Sequence, residues 1–243
     1  MSTPHKPILK RYQTESERPG YVEDLFDRGA PYYDVIGKIG FLGSGHAYRK
    51  RALQLAGLKP GMRLIDVACG TGAVTRPGVE IVGDEGSVVA VDPSSGMMAE
   101  AKKTIDADFR RGRAEELPVE DNEFDFLSMG YALRHVSDLV LAFKEYLRVL
   151  KPGGKALILE ISRPKTKVGM ALAKLYFRDI IPAMSKVVTG SEDAEEMFAY
   201  YWETIEACVP PEDILAALKE AGFKNVERRP IMSIFSEYHA EKP

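Results

Sequence analysis

The sequence predicts an α/β fold built on a doubly wound, mostly parallel sheet. Short apolar runs alternate with helical stretches through the middle of the chain, as in strands that are joined by crossover helices. One run, at residues 64–68, is followed by the glycines Gly70 and Gly72. Glycines let backbone approach a ligand closely, and the next helix start supplies free N–H groups. We therefore expect a ligand at the carboxyl ends of the strands.

The elements are predicted in order along the chain. Two helices rich in aromatic residues come first, over 22–39 and 46–56. Apolar runs then predict buried strands, and helical stretches lie between them; the strands cover 63–68, 87–91, 124–128 and 155–161, and the helices cover 73–82, 95–105 and 137–150. A helical, amphipathic stretch interrupts this alternation, and one more helix and two antiparallel strands follow it; these cover 166–206, 211–221 and 226–239.

The composition predicts one soluble domain with a short extension. Residues 1–20 are polar and contain prolines, so we expect a flexible arm before a domain at 21–243 that carries 166–206 as a helical cap insertion. The formal net charge of −3 gives no general reason to bind nucleic acid. Two cysteines make no disulfide framework, and no apolar run is long enough to span a bilayer, so we expect a cytoplasmic protein. The four scattered histidines predict no metal site.

Acidic residues beside the glycine loop indicate the kind of cofactor. Asp92 closes the second strand, where a carboxylate can accept hydrogen bonds from ribose hydroxyls. Thr75 stands where a dinucleotide fingerprint needs its third glycine, which disfavours a pyrophosphate. Asp66 lies inside the first strand, and a carboxylate there suits a cofactor with its own cation, such as S-adenosylmethionine. A generic strand-to-helix turn is the alternative.

Several segments together resemble the ubiquinone/menaquinone biosynthesis C-methyltransferase family. Residues 148–162 are similar to its second signature nearly residue for residue, with Ala156 in place of a larger apolar residue. Three further segments are similar to its cofactor motif, its ribose-binding segment and its active-site segment; they are 66–72, 92–98 and 133–136. The likeness covers about residues 25–239. It implies the seven-stranded, Rossmann-like sheet of class I S-adenosylmethionine-dependent methyltransferases.

The resemblance and the chemistry of the residues suggest a set of site residues. The residues expected at the cofactor are Tyr33, Arg49, Asp66, Gly70, Gly72, Asp92, Met97, Arg113, Ala114 and Met129. Tyr200 and Trp202 are expected to line the acceptor pocket. Arg134 is expected to stabilise a phenolate by a charge-assisted hydrogen bond, and His135 to take the phenol proton directly or through water.

Each of these roles has a structural alternative. A packing role is the alternative for Met97, Tyr33 and Arg49. For Tyr200 and Trp202, the alternative is a place in the ordinary core of the cap. Arg134 can be a structural charge that faces a phosphate or carboxylate. His135 can be a residue at a helix start with a hydrogen bond at the surface.

The implied activity is C-methylation of a hydroquinone precursor in ubiquinone/menaquinone-type biosynthesis. The chain departs from the family at Gly37, Phe41, Arg113 and His135, among other positions, which keeps an O- or N-methyltransferase for another small aromatic, amine or lipid acceptor open. An NAD-dependent oxidoreductase and a non-catalytic S-adenosylmethionine-binding module are further alternatives. The expected partner is a small-molecule or polyprenyl-quinol substrate, with peripheral membrane contact through residues 170–182 and a homodimer as further expectations.

Overall fold

The computed structural model describes residues 2–40 and 43–243. Phe41, a position where the chain departs from the resembled family, lies outside the described residues. Seven strands in the described chain form one sheet in the order β3-β2-β1-β4-β5-β7-β6. They are β1 Arg63–Val67, β2 Ser87–Asp92, β3 Asp108–Arg111, β4 Phe124–Gly130, β5 Leu150–Ile161, β6 Lys224–Ile231 and β7 Phe235–Glu241. All neighbours pair in parallel except those of β7, which is antiparallel to both β5 and β6. This confirms the predicted fold class.

The helices lie on both faces of this sheet and in a cap beyond its carboxyl edge. They are α1 Arg18–Gly40, α2 Gly45–Ala56, α3 Thr75–Val82, α4 Ser95–Lys102, α5 Leu139–Val149, α6 Lys167–Lys174, α7 Ile181–Thr189, α8 Glu192–Ala207 and α9 Pro211–Ala221. A π-helical turn, Leu175–Ile180, joins α6 to α7, and a 3₁₀ turn, Leu133–His135, follows β4. Helices α6 to α8 occupy the stretch predicted as a helical insertion.

The central strands are apolar because both of their faces are covered. Leu64 and Ile65 of β1 point to opposite faces of the sheet and are both fully buried. One face packs on α5 and α9, and the other packs on α2 and α3. β3 was not predicted, because it is not an apolar run. It lies at the sheet edge and has the sequence Asp-Phe-Arg-Arg, with Asp108 and Arg111 exposed.

The N-terminal residues predicted as a flexible arm make specific contacts with the domain. Ser2 N donates to Asp138 Oδ2 over 3.0 Å, and Leu139 N donates to Ser2 O over 2.8 Å. Val209 N donates to Pro4 O over 2.8 Å, and His5 is 1% exposed. Helix α1 then begins before the predicted boundary at residue 20. These residues therefore pack on the start of α5 and on the segment that follows α8. Within the described ranges, no helix is long and apolar enough to cross a membrane.

Candidate active site

The glycine loop after β1 lies at the centre of the carboxyl edge of the sheet. β1 pairs with β2 on one side and β4 on the other, which is the switch point where doubly wound folds bind ligands. Gly70 has a φ of +56°, and no heavy atom lies within 4 Å of the position of a Cβ there. Gly72 has a φ of +84°, and a Cβ there would lie 2.2 Å from Ile105 Cδ1. The first glycine leaves space for a ligand, whereas the second is required by packing.

The carboxylate of Asp92 fastens the end of β2 to this loop. Gly70 N donates to Oδ2 and Ser94 N donates to Oδ1, each over 2.8 Å. Burial raises the pKa of Asp92 to about 6, although these two backbone bonds act in the opposite direction. Each carboxylate oxygen has further lone pairs, so Asp92 retains the capacity to accept from ribose hydroxyls.

Asp66 is a buried carboxylate whose hydrogen-bond donors are neutral. Thr75 Oγ1 donates to Oδ2 over 2.6 Å, and Ser128 Oγ donates to Oδ1 over 2.7 Å. Burial raises the pKa of Asp66 to about 6, while the two hydroxyl bonds and the charge of Arg49 lower it. Among the described residues, Arg49 acts on Asp66 through its charge and not through a hydrogen bond. A buried carboxylate that has only neutral hydrogen-bond donors fits a ligand that brings its own positive charge.

Helix α1 covers the loop from the outside. Asp27 accepts from Ser94 Oγ over 2.5 Å and from Gly96 N over 2.8 Å, at the first turn of α4. Asp34 accepts from Thr71 Oγ1 over 2.6 Å, inside the glycine loop. Neither aspartate was predicted to have a role, because only the docked helix brings them to these donors.

Four of the predicted cofactor residues lie along the same edge in different surroundings. Met97 is 2% exposed and packs with residues of α1 and α8, which agrees with its alternative role as core. Met129 is fully buried at the end of β4, where Tyr146 OH donates to its Sδ over 3.5 Å. Arg113 is exposed after β3, and Ala114 next to it is buried.

Within residues 2–40 and 43–243, no three acidic, histidine or cysteine side chains are grouped to hold a metal ion.

Arg134 and Glu160 form a buried ion pair beyond the ends of β4 and β5. Arg134 Nη1 donates to Glu160 Oε1 over 2.5 Å, and Nε donates to Thr204 Oγ1 of α8 over 3.0 Å. Burial by itself lowers the pKa of Arg134, but the Glu160 carboxylate raises it above its ordinary value. The guanidinium is therefore charged, fixed in orientation and shielded from water. Glu160 was not among the predicted site residues, although it lies within the family-like segment 148–162.

Three tyrosines and a second arginine surround this pair. The Arg134 Cζ lies 4.0 Å from the ring centroid of Tyr201, and Tyr33 lies within range of the charges of both Arg134 and Arg49. Burial raises the pKa of Tyr33 far above its usual range. The Arg49 Cζ lies 5.3 Å from the ring centroid of Tyr131, whose φ of +62° is rare for an aromatic residue. The structure thus brings together the predicted residues Tyr33, Arg49 and Arg134, and it adds Tyr131 and Tyr201.

His135 lies between two aromatic rings. Its ring centroid is 5.2 Å from that of Phe26 and 5.7 Å from that of Tyr200. Both ring nitrogens are buried, and neither has a hydrogen-bond partner among the described residues. Burial, together with the charges of Arg134 and Arg18, holds the pKa of His135 well below its usual range. The ring is therefore neutral and a weak proton acceptor, and it does not sit at the surface as its alternative role supposed.

The structure does not bring Tyr200 and Trp202 together. Tyr200 is fully buried against α1, whereas Trp202 is 2% exposed and packs against β5 and the π-helical turn. Residues two apart on a helix point in different directions, so the predicted pair does not form one wall. Tyr201, between them, is the aromatic residue of this stretch that reaches Arg134.

Comparisons with known proteins agree with this architecture. The model of the ubiE/COQ5 methyltransferase family matches residues 12–236. The demethylmenaquinone methyltransferase of Bacillus mycoides is 35% identical over 227 residues, 90% of this chain and 92% of that protein. The ubiquinone/menaquinone biosynthesis C-methyltransferase UbiE of Shewanella woodyi is 33% identical over 233 residues, 93% of this chain and 92% of that protein. A SAM-dependent methyltransferase structure from Aquifex aeolicus has a TM-score of 0.63 at 18% identity, covers 86% of this chain and 98% of its own, and supports the fold alone.

The chain belongs to the ubiE/COQ5 methyltransferase family. This confirms the predicted family and the prediction of an enzyme that uses S-adenosylmethionine. The residues fit that cofactor: open space lies over Gly70, Asp92 closes the neighbouring strand, and Asp66 is a buried carboxylate with no bound cation among the described residues. The NAD-dependent oxidoreductase alternative is thereby set aside.

Proposed function

We propose that this enzyme transfers the methyl group of S-adenosylmethionine to a ring carbon of a hydroquinone of ubiquinone/menaquinone type. The observation that carries the proposal is the buried guanidinium of Arg134, held by Glu160 beside the phenols of Tyr33 and Tyr201. The names of relatives at 33% and 35% identity, which specify quinone methylation, support the same acceptor class.

The cofactor is assigned to the edge formed by β1, β2 and β4. Gly70 allows close backbone approach, Asp66 faces the ammonium of the methionine part, and Asp92 accepts from the ribose hydroxyls. Met129, Met97, Arg113 and Ala114 are assigned to the adenine end of the same edge, with Met97 and Met129 contributing through packing. When bound, the cofactor supplies an electrophilic methyl group with a built-in neutral leaving group.

Arg134 is assigned the stabilisation of the acceptor phenolate. Ring-carbon methylation requires a phenol with a pKa of about 10 to lose its proton, so that the oxygen pushes electron density onto the ring. A charged guanidinium in a dry site stabilises that oxyanion strongly. Tyr33 stays protonated because burial raises its pKa, and it can donate a hydrogen bond to the same oxygen. The site thus lowers the cost of deprotonation.

The proton acceptor is assigned to water rather than to His135. The predicted role of His135 as a base requires an imidazole that binds protons near neutral pH, whereas its pKa is held well below that range. In this proposal, the neutral ring contributes packing between Phe26 and Tyr200 and takes no part in proton transfer. Tyr201 takes the acceptor-lining role that was predicted for Tyr200 and Trp202.

A methyl-transfer assay with an acceptor panel tests the proposal. The protein is incubated with deuterated-methyl S-adenosylmethionine and with reduced demethylmenaquinone analogues, a catechol and a primary amine, and mass spectrometry locates the label. Label on a quinol ring carbon is the expected result. Label only on oxygen or nitrogen would replace the proposal with the O- or N-methyltransferase alternative. Cofactor binding without turnover on any acceptor would favour a non-catalytic module.

We further propose that the cap touches the membrane that holds a polyprenyl acceptor. Exposed apolar side chains are concentrated on α6, the π-helical turn and α7, including Val168 at 71%, Leu172 at 61% and Val187 at 84% exposure. Lys165 and Lys167 are exposed at the start of this stretch and suit anionic headgroups. An apolar face of this kind on a helical cap marks an interaction surface.

Vesicle cosedimentation tests this contact. Wild-type protein is expected to sediment with phosphatidylglycerol-containing vesicles, and Leu172→Asp is expected to reduce the bound fraction. Leu55→Asp is the matched control, because Leu55 is 63% exposed on α2. Equal binding of both variants would contradict the assignment to the cap.

Two partner predictions and the location are measured separately. The net charge of −3 supports the prediction of no nucleic-acid partner. The homodimer stays a prediction, and sedimentation equilibrium tests it by measuring the molar mass in solution. A cytoplasmic location is proposed, with fractionation of cells as its test.

A further inference from the structure

We propose that Arg18 is a positioning residue that holds the 3₁₀ turn carrying Arg134 and His135. The inference rests on the proposed function, in which Arg134 acts on the acceptor. Arg18 is the first residue of α1 and lies 116 positions before Arg134 in the chain. Nevertheless, its guanidinium reaches the backbone of the turn. No role in the site was expected for it from the sequence.

The guanidinium of Arg18 spans the turn from one side. Nη2 donates to the carbonyl oxygen of Arg134 over 2.9 Å and to that of Val136 over 3.2 Å. Nη1 donates to Glu15 Oε1 over 2.7 Å. The residue is 1% exposed and its two bonds to carbonyls are buried, so these form away from water, where an unmade bond costs most. Arg18 therefore ties the start of α1 to two carbonyls on either side of His135.

The turn has few internal bonds of its own. It is three residues long, and its end is held by His135 N to Ala132 O at 2.8 Å and by Val136 N to Leu133 O at 3.3 Å. A short 3₁₀ turn with so little internal support takes its position from outside contacts. The hydrogen bonds from the Arg18 side chain are outside contacts of this sort, and they are made directly to the backbone of the turn.

The position of this backbone decides where two functional side chains lie. The Arg134 guanidinium must meet both Glu160 and Thr204, at 2.5 and 3.0 Å, and the same turn places His135 between Phe26 and Tyr200. A displacement of the turn by an ångström would misalign the guanidinium with a bound acceptor. Such displacements away from the reacting atoms can cost about 100-fold in rate.

An arginine suits this task better than a lysine. One planar guanidinium presents donors in a fixed fork and can serve both carbonyls and Glu15 at once. The ammonium of a lysine is a compact point charge on a flexible stem, so it can reach part of this set only. We therefore expect Arg18→Lys to retain part of the function and Arg18→Met to lose it.

Steady-state kinetics of three variants test the proposal. For Arg18→Met, kcat is expected to fall about 100-fold while the Kd for S-adenosylmethionine changes by less than about threefold, because the cofactor edge is not touched. Arg18→Lys is expected to recover about a tenth of the wild-type kcat. Arg28→Met is the matched control on α1, because Arg28 pairs with Asp24, Asp193 and Glu196 and makes no contact with the turn. An Arg18→Met enzyme with normal cofactor affinity and kcat within about twofold of wild type would overturn the proposal.

Hydrogen–deuterium exchange supplies a readout that does not depend on turnover. The peptide covering residues 131–137 is expected to exchange faster in Arg18→Met than in wild type and in Arg28→Met. Unchanged exchange in this peptide would overturn the positioning role even if kcat fell. Faster exchange in a protein whose wild type methylates no quinol would support the positioning role and reject the proposed function. A variant that fails to bind S-adenosylmethionine is replaced by Arg18→Lys, for which the same peptide is measured.

Discussion

Arg134 and Glu160 form an ion pair that is wholly inside the protein, with side chains 0% and 1% exposed and 2.5 Å between Nη1 and Oε1. The pair arises from the order of the sheet. Arg134 follows β4 and Glu160 lies near the end of β5, and these strands are parallel neighbours. Their carboxyl ends therefore bring a cation and an anion together beside the cap. A buried pair of this kind is a poor source of stability but a firm constraint on orientation.

Removal of the anion alone should destabilise the protein strongly. In Glu160→Gln the guanidinium stays buried without its counter-charge, which typically costs about 3–5 kcal/mol in the free energy of unfolding. Urea denaturation measures this loss. We expect kcat to fall as well, because Arg134 loses the partner that fixes its orientation.

The double variant Arg134→Met, Glu160→Met separates stability from catalysis. Two apolar side chains of similar volume leave no buried charge, so most of the lost stability should return. Activity should remain low, because the cation that stabilises the phenolate is absent. A double variant with wild-type turnover would contradict the role of Arg134.

The two glycines of the loop should respond differently to alanine. Gly72→Ala should lower the free energy of unfolding by about 1–3 kcal/mol, because its Cβ would overlap the side chain of Ile105. Gly70→Ala has no such overlap, so its effect on stability should be smaller and its effect on cofactor affinity larger. Thermal unfolding and calorimetric titration with S-adenosylmethionine measure the two effects. The reverse ranking would show that the loop does not face the cofactor as assigned.

The buried acids should make stability depend on pH in a specific direction. The pKa of Asp66 is about 6 in the folded chain, above its ordinary value of 3.8. Between these values the folded state holds a proton that the unfolded state has lost, so stability falls as pH rises through this window and levels off above about pH 6. The shift corresponds to roughly 3 kcal/mol at most. Asp92 adds a change of the same sign.

Comparison of wild type with Asp66→Asn isolates this contribution. Carboxyls that do not interact with Asp66 titrate alike in both proteins, so their effects cancel in the difference. Beyond the effect of burial, the Asp66 charge raises the pKa of Asp92, so Asp92 adds a change of the same sign. We expect the stability of wild type relative to the variant to decrease from pH 4.5 to pH 7 without cofactor. The affinity of wild type for S-adenosylmethionine should rise over the same window, because the cation favours the ionised carboxylate. A pH-independent difference in stability and affinity would contradict the assignment.

The elements on both faces of the sheet were predictable because burial imposes a local pattern. β1 and β2 are mostly apolar, with Asp66 inside β1 and Asp92 as the last residue of β2. The glycines that follow β1 and the position of Asp92 could therefore be interpreted from the order of residues along the chain. β3 lacks this pattern because an edge strand with Asp108 and Arg111 needs no apolar run. The parts fixed by local burial and turn chemistry could therefore be read from the sequence.

The acceptor side of the site depends on contacts between distant segments, which no local pattern encodes. Arg18 meets the turn at Arg134 only because α1 docks against α8 and the turn. Tyr201, rather than its neighbours, faces Arg134 because of the rotation of α8, which the spacing of aromatic residues did not determine. The low pKa of His135 likewise follows from its position between Phe26 and Tyr200 in the packed chain.

The most direct measurement compares a demethylmenaquinone analogue in its reduced and oxidised forms with deuterated-methyl S-adenosylmethionine. We expect label on a ring carbon of the reduced form only, because only a hydroquinone can supply the phenolate that Arg134 stabilises. The same reaction with Arg134→Met should lose turnover while cofactor affinity is retained. Equal methylation of the oxidised form, or full turnover by Arg134→Met, would rule out phenolate stabilisation by Arg134.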